Sequence, residues 1–449
     1  VSGPRVYLDH NATSPASREH LAEVFCVLEQ GPANPSSPHA AGRDASVAVT
    51  AARRSLAQAI GFDVAEIVFV SGGTEANNLA TAGVLAHSSE DQGKGKGVHA
   101  VTSGVEHPSI LEPLREAQRT SGVSLDVLAV SDQGDLKVDA IKSALRPDTR
   151  LVTLMAANNE TGVILPVKAF GDWLHQARWA KTPDADLFAG LAEGVTRESL
   201  QAMHFHVDGV QAFGKLPTSE WISPGVDSVS LCAHKLGGLP GVGALALRRG
   251  RRYVPGLRGG AQEKNRRAGT ENIPGIVSFG LVARAVSGPA WWTSLENVAA
   301  LRDELRAGLE ALAARPGAPC LIWNTPRENI LPTTLNFSVA PPRDSVALKN
   351  AALRGEDVLM QLDMRGVCAS SGSACSSGAN LPSKILLALG RSDREARDAV
   401  RLSLGVSTIR ADVEFALAAL GDIFKVSTAG SAVPAAPGDT PGSVLRPSP

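Results

Sequence analysis

Lys235 follows directly on the strand-like run "SLCAHK" and is preceded by His234, so its amine stands at the C-terminal end of a strand. A lysine so placed is either a surface cation or, once desolvated, an amine able to form an imine with a carbonyl. A second apolar run, "HFHVDGVQAFG", ends in Asp208, with Gln211 one turn later. Between another strand and a helix start lies "SGGTEANN" (Ser71 to Asn78), where Gly73 and Thr74 would suit a phosphate. Taken alone, Thr74 reads equally as an ordinary helix N-cap. An acid, an imine-forming lysine and a phosphate cup together are what pyridoxal phosphate requires, the acid pairing with the pyridinium nitrogen so that the ring stays an electron sink. One thiol has a different setting. Cys375, in "GVCASSGSACSSGANLP", lies among Ser, Gly and Ala, a composition that suits an accessible carrier arm rather than a core. Cys368, on the strand-like "GVCAS" before it, reads as a small buried hydrophobe.

The elements that must position these groups alternate in type. "EIVFV" (66–70), "HFHVD" (204–208), "DSVSLCAHK" (227–235) and "GALALRR" (243–249) read as strands, "RLVTLMAANNETG" (150–162) as a buried strand followed by a polar loop, and 45–61 as a helix closed by Gly61. Strand–loop–helix alternation predicts an α/β fold with a mostly parallel sheet flanked by helices, whose ligands collect at the C-terminal strand ends. Near residue 270 the pattern changes to a long helix (292–315), strands at 333–339 and 365–370, and helices at 394–400 and 410–426. We therefore expect a segment 1–14, a large domain over 15–270, a smaller α+β domain over 271–426 and a Pro/Ala-rich disordered tail over 427–449. Stretches 87–97 and 180–203 read as surface insertions. Hydrophobic residues make up 43%, charged residues 20%, and the formal charge is −1, which disfavours nucleic acid or an anionic membrane as main partner. Five cysteines without framework spacing suit a reducing compartment, no apolar run reaches a span, and no signal-peptide layout is seen, so a cytoplasmic location is expected.

The motifs "YLDHNATSP", "NPSSPHAAGR", "SGGTEANNLA", "VEHPSI", "ANNETGVILPV", "HVDGVQAFGK", "GGAQEKNRRAGTENIPG", "SSGSACSSG" and "VRLSLG" come in the order seen in a known family. Over roughly residues 5 to 425 the chain resembles the cysteine desulfurases and selenocysteine lyases, fold-type-I pyridoxal phosphate enzymes of the class-V aminotransferase group. The resemblance implies a large domain with a seven-stranded-type sheet and a homodimer. It implies that Lys235 bonds the cofactor, that Asp208 pairs with the ring nitrogen, and that Gln211 and Asn159 lie near the phenolic oxygen. By the same resemblance His107 stacks on the ring and helps move protons, and Gly73, Thr74, Cys232 and His234 form the phosphate cup. Thr270 resembles a threonine lent by the second subunit, Arg401 the arginine that grips the substrate carboxylate through a bidentate fork, and Cys375 the sulfur-accepting nucleophile. The implied reaction takes L-cysteine to L-alanine and leaves a persulfide on Cys375 for a sulfur acceptor such as an iron–sulfur scaffold protein.

Three positions depart from the family pattern. Cys232 stands where a serine usually donates to the phosphate, Gly209 where an alanine methyl usually packs on the cofactor, and Gly237 where an aromatic is frequent. They predict a weaker grip on the cofactor, a thiol being a weak donor. Two other readings remain at this stage: a selenocysteine lyase acting on L-selenocysteine, and a non-catalytic dimeric scaffold.

Overall fold

The computed structural model describes residues 5–30, 34–92, 97–181, 185–342, 353–372 and 381–426. Residues 1–4 and 427–449, and with them the expected tail, lie outside the described residues, as does Cys375.

Twelve strands are seen among the described residues. In chain order they are β1 (Val6–Tyr7), β2 (Ile67–Val70), β3 (His99–Ser103), β4 (Ser124–Leu128), β5 (Thr149–Met155), β6 (His204–Asp208), β7 (Ser228–Cys232), β8 (Gly243–Leu247), β9 (Cys320–Trp323), β10 (Thr334–Ala340), β11 (Val367–Cys368) and β12 (Ala399–Ser403). Seven of them make one sheet in the order β2-β8-β7-β6-β5-β3-β4. The five from β7 to β4 run parallel, and β8 is antiparallel to both its neighbours. β6, β7 and β8 are buried at every position, which is why they read as near-continuous apolar runs. The helix Ala40–Ile60 packs an apolar stripe against the helix Ile273–Val286 over this sheet, and Gly61 ends it with φ 67°, a conformation that favours glycine.

A second core is built on the sheet β12-β10-β9, the helices Pro289–Ala313, Gly355–Met364 and Arg410–Val426, and Val6 and Leu8 of the first strand region. β1 pairs in parallel with β11, so the N-terminal segment joins this core. Packing puts the change of core later than residue 271. The helix Ile273–Val286 is nearly all buried against the large sheet, and the second core takes over within the next helix, at Val298.

Two sequence readings are corrected. The run 394–400 is not one helix: Asp393–Arg397 is helical, and Ala399 and Val400 begin β12, where both are fully buried against β10. Sheet pairing overrides the local helix preference of "REARDAV". Residues 185–203 are not a bare surface insertion either. Leu200 is buried, Trp173 Nε1 donates to Leu187 O at 3.0 Å, and a short helix Arg197–Ala202 leads into β6.

Candidate active site

β5, β6 and β7 end side by side, and the residues that follow them line a cavity of about 270 Å³. Gly73, Thr74, His107, Asn159, Asp208, Gln211, Cys232, His234, Lys235 and Arg401 all line it. The structure thus brings together ten residues predicted from the sequence, from motifs up to some three hundred positions apart. Thr270 is the exception: it is exposed and borders a separate small cavity with Glu263 and Arg267.

Lys235 lies in a tight turn, His234–Leu236, immediately after β7. Its Nζ donates to the main-chain oxygens of Asn11 (2.6 Å) and Ala12 (2.9 Å), so the N-terminal segment lies against it. Gly237 closes the turn with φ 84°. The missing aromatic is thereby explained, since a left-handed backbone strains any side chain with a Cβ. Asp208 closes β6 and is buried; its Oδ2 accepts from Asn77 Nδ2 (2.7 Å) and its Oδ1 from Val210 N (3.0 Å). His107 is the N-cap of the helix Pro108–Ser121, and Nδ1 accepts from Ser109 N. Burial, with Lys235 nearby, holds His107 below the ordinary imidazole value against the pull of Asp208. Burial and neighbouring lysines likewise push His234 down to about 4, and burial pushes the Cys232 thiol up to about 11.

Two predicted roles meet a different geometry. Arg401 is 2% exposed and its end-on fork is occupied: Nη2 pairs with Asp9 at 2.7 Å, and Nη1 donates to Asn159 O at 3.0 Å and Gly372 O at 3.4 Å. Nε is buried with no partner among the described residues. The edge carrying Nε is what remains for a carboxylate. Gly209 does not face the cavity. A Cβ there would meet Trp221 Cη2 and Cζ3, both at 2.7 Å, so its side of the backbone belongs to the sheet core.

Several residues at the site were not singled out from the sequence. Asn77 binds Asp208, and Asn11 takes Lys235. Buried Lys215 donates to Asn11 Oδ1 (2.7 Å) and Gln211 Oε1 (2.6 Å), and Gln211 Nε2 donates to Asn11 O. Burial and the neighbouring cations lower the Lys215 amine well below its ordinary value. Glu160 accepts from Ser383 Oγ at 2.6 Å, faces Gly372, and is raised by burial to about 7. Each lies inside or beside a motif already quoted, but only the fold shows which atoms they touch.

A lysine after one parallel strand, an aspartate ending the next and an arginine from a second core define an α/β protein whose cavity holds amine, acid and guanidinium groups together. The family model for aminotransferase class-V matches residues 6–185 and 194–415, and the chain belongs to that family. It is 36% identical over 420 residues to the cysteine desulfurase IscS of Dictyoglomus turgidum, covering 94% of each chain. It is 38% identical over 424 residues to a cysteine desulfurase of Bradyrhizobium diazoefficiens, covering 93% of this chain and 94% of that one. Among solved structures it resembles a NifS-like protein with a TM-score of 0.76 and 28% identity, over 94% of this chain and 99% of the other.

Proposed function

We propose that this chain is a cysteine desulfurase that uses pyridoxal phosphate to take sulfur from L-cysteine. The observation that carries this reading is the meeting of Lys235, Asp208 and Arg401 on one cavity. The residues present fit the cofactor. Asn159 Oδ1 and Arg401 Nε, both of cavity residues, are buried polar atoms without partners among the described residues, as expected where a polar ligand completes the shell. Pyridoxal phosphate, when bound, supplies an electron sink for the pair left at the substrate α-carbon.

The chain's own groups divide the remaining work. Lys235 Nζ is the group that would bond the cofactor, and its amine would serve as the base for the substrate α-proton. Asp208 would pair with the ring nitrogen, and Asn77 fixes that carboxylate. Gly73, Thr74, His234 and Cys232 border the end of the cavity where a phosphate would lie. Arg401 orients the substrate carboxylate, and His107 moves a proton. The thiolate of Cys375 would then attack the substrate sulfur: the S–S bond forms as the Cβ–S bond breaks, the electron pair stays on the carbon side, and a proton added at Cβ makes the methyl group of alanine. The persulfide passes to an acceptor such as an iron–sulfur scaffold protein. A homodimer is part of this reading, since Thr270 is exposed and outside its own chain's cavity.

Mass spectrometry of the cofactor-loaded protein after incubation with L-cysteine tests the proposal. We expect one added sulfur on Cys375 and release of alanine, both lost in Cys375→Ala while the visible absorption of the bound cofactor persists. Alanine release without any modification of Cys375, or absorption unchanged by Lys235→Ala, would sink it.

A further inference from the structure

A chain of hydrogen bonds joins Asp208 to His107, and the direction of each can be read. Asn77 Nδ2 donates to Asp208 Oδ2 at 2.7 Å and to Ser109 Oγ at 2.8 Å. Asn77 Oδ1 accepts from the Ser230 hydroxyl and from His206 Nε2 at 3.2 Å. Turning this amide over would set Oδ1 against a carboxylate oxygen, acceptor on acceptor, in a region where Asn77 is 2% exposed and Ser230 and His206 are fully buried. The amide therefore has one orientation. His206, which burial lowers to about 3, needs only the one proton it gives to Asn77.

Ser109 Oγ lies 2.7 Å from His107 Nδ1. The main-chain N–H of Ser109 points at Nδ1, at 3.1 Å, which makes Nδ1 an acceptor. The Oγ contact to the same atom therefore takes the single hydroxyl proton, while Oγ accepts from Asn77. Nδ1 thus receives two hydrogens and carries none. The ring's own proton is left to Nε2. A second proton would have to enter at Nδ1, against both donors. Among the described residues, the charged groups facing the ring from other elements include Asp208, at the end of β6, and Lys235, in the turn after β7.

We propose that Ser109, oriented by Asn77, is a positioning residue that holds His107 as a neutral imidazole with its proton on Nε2, and that this state is tied through Asn77 to the Asp208 carboxylate. His107 then enters the reaction as a proton donor at Nε2, which leaves the Lys235 amine as the base. The inference rests on the proposed function only for what His107 acts upon.

The test is nitrogen-15 NMR of histidine-labelled, pyridoxal-phosphate-loaded protein without substrate, with His107 assigned by loss of its signals in His107→Gln. Wild type should show a protonated Nε2 and a bare Nδ1. Ser109→Ala keeps the main-chain donor but loses the hydroxyl, so the tautomer should persist while the proton affinity of His107 rises about tenfold. Ser109→Thr restores the hydroxyl and should titrate as wild type does. A proton on Nδ1 in wild type would overturn the proposal. So would a Ser109→Ala protein whose His107 titrates unchanged, even if it were slower or less stable. Because no substrate is present, failure to turn over cysteine would refute the proposed function and leave this result standing.

Discussion

Gly209→Ala restores the residue common in the family, and we expect it to weaken the fold without improving the hold on the cofactor. The new methyl would stand 2.7 Å from two atoms of the Trp221 ring and 3.0 Å from Val229 Cγ1, about 1 Å inside ordinary carbon contact. Trp221 and Val229 are both fully buried. A rigid ring has no flexible end to swing aside, so the cost falls in the range of about 1–3 kcal/mol for overpacking. Loss of backbone freedom in the unfolded chain returns about 0.4–1 kcal/mol. The net is a loss of up to about 2.6 kcal/mol. The Trp221→Phe change makes a clean second arm, because Trp221 Nε1 is buried without a hydrogen-bond partner among the described residues. It removes the outer ring atoms that the methyl would strike. In that background Gly209→Ala should be neutral or stabilising, a coupling of at least about 1 kcal/mol. The assay is the apparent denaturation midpoint of all four proteins at fixed protein and cofactor concentration, since bound cofactor shifts it. Additive midpoints, or a Gly209→Ala protein that retains more cofactor with its midpoint unchanged, would refute the reasoning.

Other outcomes follow from the same geometry. Cys232→Ser should raise cofactor retention a few-fold in dialysis against buffer, because a hydroxyl donates better than a thiol that burial keeps protonated near pKa 11; equal or lower retention would count against Cys232 facing the phosphate. Arg401→Gln should raise KM for L-cysteine at least about tenfold in a sulfide-release assay, the loss of a charge-assisted contact to a carboxylate; an unchanged KM would place the substrate carboxylate elsewhere. Glu106, buried between Ser103 and Met155 N, is raised by burial to about 8. The native state therefore holds this proton where the unfolded state has lost it, and stability falls as pH rises from about 5 to 8. Glu106→Gln should remove that slope and gain on wild type by a few kcal/mol (order of magnitude) above pH 8; denaturation midpoints that run parallel from pH 5 to pH 9 would show the carboxyl does not titrate there.

The strands that carry Asp208 and Lys235 were legible because they are buried on both faces and read as short apolar runs ending in a polar residue. β3 and β4 were not, since His99, Thr102, Ser103 and Asp126 interrupt their apolar pattern; His99 and Thr149 satisfy each other only once β3 lies on β5. Resemblance named the cavity residues, but it could not give the state of Arg401, whose fork is held by Asp9 from the far end of the chain. Nor could it say which way Gly209 faces. Cβ direction depends on how β6 sits on β7 and on Trp221, and Trp221 lies outside every motif. Asn77 and Ser109 sat in plain view within "SGGTEANN" and "VEHPSI". Their pairing spans the gap between two helices, which no local pattern encodes.

The segment from Val6 to Ser14 is translated before every group it meets. Val6 pairs with Val367, Asn11 takes Lys235 and Lys215, and Asp9 and Asn11 reach Arg401 and Ser403 across 392 residues of sequence. On the ribosome the large sheet, complete by Leu247, can assemble with its lysine and aspartate in place while this segment still has no partner strand. Contacts of such long sequence separation are slow to form. The cavity wall that this segment supplies therefore reaches its final form only after Arg401 and Ser403, its last partners, have been made.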